Sequence, residues 1–121
     1  MPQAAAKLGR NRKLLDGGQF KSVFSQKKSI HGKYFGMHVI RNRLTHPRLG
    51  MAVSKKVSKK AVQRNRIKRQ IRESFRLCQD TLVPMDCVVV SKIGCADQEN
   101  RVLRTELDGL WSRANKKCEN F

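Results

Sequence analysis

The sequence predicts a single α/β domain, on three observations. Residues 61–79 carry apolar side chains at helical spacing. Short alternating or β-branched runs stand around Met51 and Val89. No repeat, low-complexity tract or long linker divides the 121 residues. A chain of this length supports one modest core, and 39% hydrophobic residues are enough for it to fold. The expected organisation is a basic, loosely ordered arm over 1–15, one domain over 16–117 and a short tail over 118–121.

Taken in order, the first element is marked by Asp16 and Gln19, an acceptor side chain followed three residues later by Gln in the manner of a capping box. A short helix is expected from there to about Gln26, with Phe20, Val23 and Phe24 on one face. From Ser29 to about Arg43, Ile, Tyr, Phe and Val residues alternate partially between Gly32 and the Thr45-His46-Pro47 turn, which reads as an extended, hairpin-like region. Leu49, Met51 and Val53 alternate with small residues, so Arg48–Ser54 is expected to be a strand. Lys55 to Lys60 is a basic connection. The longest helix is expected from Ala61 to about Gln79, with Pro84 closing the turn after it. Cys87-Val88-Val89-Val90 has the unbroken apolar character of a buried strand. A last helix is expected over Asp97–Lys117, where Val102, Leu103, Leu107, Leu110, Trp111 and Ala114 recur at helical spacing.

Charge narrows the function. Lys plus Arg number 27 against 9 Asp plus Glu, a net charge of +18. Up to Arg76 there are 21 basic residues and two acids, Asp16 and Glu73; from Leu77 onward six basic residues face seven acids. Such confinement is the footprint of a polyanion-binding surface. An anionic membrane is a competing partner, but it usually goes with a basic helix carrying large exposed apolar groups. Polyphosphate of nucleic acid is therefore preferred. No apolar run is long enough to span a bilayer, and no apolar stretch follows the early basic residues as in a signal peptide. A cytoplasmic location is the simplest expectation. Cys78, Cys87, Cys95 and Cys118 lack zinc-site spacing, and His31, His38 and His46 form no ligand or nucleophile pattern. No metal site on protein ligands and no protein-bound cofactor are expected.

Unrolled at roughly 100° per residue, the 61–79 helix separates into two faces. Ile67, Ile71, Phe75 and Cys78 share an apolar side, while Asn65, Lys68, Arg69, Arg72 and Arg76 line the opposite one. Arg64 and Arg66 lie at the margins. A merely solvated face normally mixes signs in i, i+4 pairs, yet Glu73 is the only acid here before Asp80, and ten basic residues fall between Ser54 and Arg76. An anion offsets that repulsion, and arginine suits phosphate and stacked bases alike. Asn65, a poor helix former at mid-helix, can bond RNA or a neighbouring side chain. The flanking strands disfavour a DNA-binding helix-turn-helix.

The string from Arg64 through Asn65, Arg66, Ile67, Lys68, Arg69, Gln70, Ile71, Arg72, Glu73, Ser74 and Phe75 to Arg76 resembles the signature of the bacterial ribonuclease P protein subunit. The resemblance extends upstream through Arg48-Leu-Gly-Met-Ala-Val-Ser-Lys-Lys56 and Leu15-Asp16 with Gln19-Phe20 and Val23-Phe24. It continues downstream through Met85 to Val90, covering about residues 10–115. It implies an α/β two-layer sandwich, a four-stranded sheet packed against helices, with a left-handed strand–helix–strand crossover that departs from the usual hand. It implies an accessory subunit of a ribonucleoprotein endonuclease, whose RNA partner cuts the 5′ leader from precursor tRNA with magnesium ions. No catalytic residues are then expected on the protein. By the same resemblance, Lys55, Lys56, Arg64, Asn65, Arg66, Lys68, Arg69 and Arg72 would meet the catalytic RNA, with Arg76 continuing their stripe. Phe20 and Phe24 would line a cleft for the single-stranded leader, by stacking and an electrostatic groove, although core packing would use the same residues. Tyr34, Phe35, His38 and Ser54 would line the cleft floor, although Gly36 and His38 stand where bulkier groups are expected. The rival readings are a ribosomal or assembly protein using the same helix on structured RNA, and a protein-only nuclease, for which the sequence offers no acidic metal-binding cluster.

Overall fold

A computed structural model of the chain describes residues 28–119. The arm over 1–15 and the helix expected over 16–26, with Phe20 and Phe24, lie outside the described residues. Four strands, β1 (Ser29–His31), β2 (Phe35–Arg41), β3 (Arg48–Ala52) and β4 (Met85–Ser91), form one sheet in the order β1-β2-β4-β3. β1 pairs antiparallel with β2 and β2 with β4, whereas β3 and β4 run parallel. Parallel neighbours need a crossover rather than a hairpin, and the helix α1 (Ala61–Cys78) supplies it. A second helix, α2 (Asn100–Glu119), follows β4. The expected four-stranded sheet packed against helices is thus the observed architecture.

Alternation along β2 sorts its side chains. Phe35, Met37 and Val39 point into the main core with Leu49, Met85, Cys87 and Val89 of the other strands. Both helices cover this face. α1 contributes Ile67, Ile71 and Phe75, and α2 contributes Leu103, Leu107, Leu110, Trp111, Ala114 and Cys118. On the opposite face Val88 packs with Ile40 and Val90. Central strand β4 is therefore buried on both sides, which accounts for its unbroken apolar run.

The helices are keyed together by a polar bridge within the core. Trp111 Nε1 donates to Ser74 Oγ at 2.8 Å, and Ser74 Oγ donates to Asp108 Oδ1 at 2.8 Å. The Trp111 ring tilts against Phe75 with centroids 5.4 Å apart. Burial without a partner would cost the Trp111 N–H and the Ser74 hydroxyl about 1–3 kcal/mol each, and the chain of donors out to the exposed Asp108 removes that cost.

Element boundaries differ from the sequence expectations in instructive places. The β3 strand stops at Ala52, two residues early, because Ser54 already accepts a hydrogen bond from Val57 N in the following turn. The last helix begins at Asn100 rather than Asp97, since residues Cys95–Asp97 wind as a 3-10 turn entered through Gly94 at φ +99°. It also runs on to Glu119. Cys118, expected in the tail, lies one turn beyond Ala114 on the same face and is fully buried.

All four cysteines are free. Burial is the main cause raising each thiol, Cys78 to about 12 and Cys95 and Cys118 to about 11, so they are packing groups with little thiolate character.

Candidate RNA-binding surface

The core-facing stripe of α1 fixes what its other side presents. With Ile67, Ile71 and Phe75 buried, Asn65, Arg69 and Arg72 are exposed and Lys68 is half-exposed. Lys68, Arg69 and Arg72 make no hydrogen bond or ion pair among the described residues. The helix starts at Lys60 with no side-chain cap and no acid in its first turn, so the positive end of its dipole adds to the nearby lysines. Lys55 and Lys56 are exposed in the turn leading to it, as are Lys59 and Lys60, which belong to the same surface.

The remaining basic residues of this helix are engaged by the protein itself. Arg64 Nη1 donates to the Ser58 carbonyl at 2.9 Å, folding the basic connection back onto the helix. The Arg66 guanidinium is held from several sides. Its Nε donates to Gln63 Oε1, Nη1 to Gln98 O and Asn100 Oδ1, and Nη2 to Ala96 O. Arg76 pairs with Glu73, Nη2 to Oε1 at 2.5 Å, and that hydrogen bond lowers the Glu73 carboxyl pKa. The predicted stripe is therefore a graded surface. Its outermost cations are open to solvent, while Arg66 ties α1 to the approach of α2.

Of the residues predicted to floor a leader cleft, Tyr34 and Phe35 are separated from His38. Phe35 is fully buried between sheet and helices, which withdraws it from any ligand. Adjacent residues of a strand face opposite sides, so Phe35 and its alternate neighbours cannot share a surface with His38. Tyr34 sits on the helix side, bordering a cavity lined by Arg101, Val102, Thr105 and Glu106, with Lys33 Nζ 5.5 Å from its ring centroid. Ser54 is exposed just past β3. His38 lies on the opposite sheet face, where its ring meets His31 edge-on with centroids 6.4 Å apart. Burial lowers the His38 pKa, and the neighbouring His31 acts in the same direction.

A carboxylate shapes the turn between β1 and β2. Glu106 Oε1 accepts from Lys33 N at 2.9 Å, and Oε2 accepts from Tyr34 N and Phe35 N at 2.8 Å each. Its Oε2 stands 2.6 Å from where a Cβ on Gly32 would lie, so any larger residue there would push the carboxylate off the turn. Among the described residues no group of three or more His, Cys, Asp or Glu could hold a metal ion, and no helix is long and apolar enough to cross a membrane.

Sequence reasoning overlooked Gln70 and Asn100, which share a cavity with Val62, Asn65, Arg66 and Arg69. Asn100 reaches it from α2, 34 residues from Arg66 along the chain. Only the pairing of the two helices reveals that proximity.

This sequence and fold have counterparts among known proteins. The family model described as Ribonuclease P matches residues 8–115. The chain is 51% identical over 109 residues to the ribonuclease P protein component of Ectopseudomonas mendocina, covering 87% of this chain and 79% of that protein. It is 44% identical over 115 residues to that of Idiomarina loihiensis, covering 93% and 91%. Among solved structures, the RNase P protein of Staphylococcus aureus aligns with a TM-score of 0.80 at 27% identity, covering 85% of this chain and 94% of that one. The Thermotoga maritima RNase P protein aligns at 0.75 and 29%, covering 84% and 97%.

Proposed function

The chain belongs to the ribonuclease P protein family, and from that membership we propose that it is the protein subunit of a ribonucleoprotein that removes the 5′ leader of precursor tRNA in the cytoplasm. The observation that carries this reading is the outward face of α1. Asn65, Lys68, Arg69 and Arg72 present amide and cationic groups to solvent, backed by a buried apolar stripe that fixes their direction. That face, with Lys55 and Lys56, is assigned to the catalytic RNA. Phosphate contacts by such groups supply affinity and register.

The precursor-tRNA leader is assigned to the opposite sheet face, where His38 and His31 offer imidazole rings for stacking with unpaired bases. Phe20 and Phe24 complete this assignment from the sequence. The protein's part is to bind and orient. Catalytic groups are assigned to the RNA partner, whose phosphates would hold the magnesium ions that supply an activated hydroxide.

Reconstitution tests the whole reading. Protein and catalytic RNA together should cleave precursor tRNA at a magnesium concentration where RNA alone is slow, and protein alone should do nothing. Cleavage by protein rigorously freed of RNA would overturn the division of labour.

A further inference from the structure

The cavity between α1 and the start of α2 has a volume of about 390 Å³ and is lined by Val62, Asn65, Arg66, Arg69, Gln70 and Asn100. Three carboxamides converge on it, each with unmet hydrogen-bonding capacity among the described residues. Gln70 Oε1 accepts from Arg104 Nη2 at 3.0 Å, which leaves the Gln70 amide nitrogen unused. Asn100 Oδ1 accepts from Arg66 at 2.6 Å, which leaves the Asn100 amide nitrogen unused. Asn65, exposed on α1, has both amide groups available.

The rest of the lining suits a flat, partly apolar ligand carrying a negative charge at one end. Val62 is 78% exposed, a large apolar group with little protein cover. Arg66 is fixed by its carbonyl and amide acceptors, so its guanidinium is a rigid plate with few in-plane donors left. Such a plate can stack on a base. Arg69 has no hydrogen-bond partner among the described residues and can take a phosphate. The volume falls in the range of small-ligand sites, roughly 300–1,000 Å³.

We propose that this cavity receives one unstacked nucleobase of the catalytic RNA, read along its edge by Asn65, Gln70 and Asn100 and stacked against Arg66. The inference rests on the assignment of α1 to that RNA. It adds a base-reading site to a surface that is otherwise a set of phosphate contacts, and it explains why an asparagine interrupts the cationic stripe. A carboxamide offers a donor and an acceptor side by side to a base edge, whereas lysine and arginine side chains offer donors only.

The test compares full-length wild-type protein with Asn65→Leu, Asn100→Ala and Lys68→Ala, each bound to the in vitro transcribed RNA. Base edges are probed with dimethyl sulfate and carbodiimide, and affinity is measured across a salt series. Wild type should shield the edge of one base that both Asn65→Leu and Asn100→Ala leave reactive. Asn65→Leu should weaken binding roughly tenfold with an unchanged salt slope, because a base contact and no phosphate contact is lost. Lys68→Ala should lower the slope by about one and keep the base shielded. Tight binding with the same base reactivities in wild type and Asn65→Leu would overturn the inference and leave the RNA-binding assignment standing. Failure of wild type to bind the RNA would overturn both.

Discussion

Four hydrogen bonds on Arg66 end on groups contributed by Gln63, Ala96, Gln98 and Asn100, whereas Arg72, six residues further along the same helix, makes none among the described residues. The two arginines therefore answer differently to truncation. Arg66→Ala should destabilise the fold by about 1–2 kcal/mol, since it strands several partly buried acceptors. Arg72→Ala should change stability by no more than about 0.5 kcal/mol and reduce the salt slope of RNA binding by about one. Urea unfolding and an RNA titration at several salt concentrations measure the two effects. Equal stability losses would mean that the Arg66 contacts carry no weight. Helical angle alone was enough to place Asn65, Lys68, Arg69 and Arg72 on the outer face. It could not show that Arg66 is claimed by carbonyls some 30 residues away, because periodicity reports a residue's own helix and nothing of its neighbour.

Between β1 and β2 the chain turns around a single carboxylate. Glu106 reaches from α2 to accept three backbone N–H groups, so the sheet edge and the helix layer are locked together at that corner. Glu106→Ala should cost about 1.5–3 kcal/mol, in the range of hydrogen bonds to a charged acceptor. Gly32→Ala should also destabilise, because its new Cβ would fall within 2.6 Å of Glu106 Oε2. Denaturant midpoints check both, and a midpoint unmoved by Glu106→Ala would show the clamp to be incidental. Strand positions were legible here from alternation, but not which parity faces inward. Grouping Tyr34, Phe35 and His38 on one surface ignored that parity. The turn at Gly32 and the Glu106 clamp set it, placing Phe35, Met37 and Val39 toward the helices.

Across the whole molecule, a net charge of +18 pulls stability and binding in opposite directions as salt rises. The basic excess lies before Leu77, so the free protein carries concentrated self-repulsion around α1 and its approach. Raising salt from about 20 to 200 mM should increase the melting temperature of free protein by screening that repulsion. The same change should weaken RNA binding by orders of magnitude through counterion release. Calorimetry of the free protein beside binding isotherms at matched salt tests this, and a melting temperature that falls with salt would contradict it. The segregation of charge was plain in the sequence. The topology that puts the basic helix between two paired parallel strands came only from the family resemblance, since helix and strand patterns do not specify which strands become neighbours.

The chain holds one tryptophan, and its indole is anchored to Ser74 on the inner side of the helix whose outer side bears the basic stripe. That placement makes the protein its own optical gauge. Emission from Trp111 is screened from direct quenching by anything seated on Arg69 or Arg72, so a spectral change on complex formation would report α1 shifting on its bed. A silent tryptophan during tight binding would mark the helix as a rigid rail, laid down by folding before any RNA arrives.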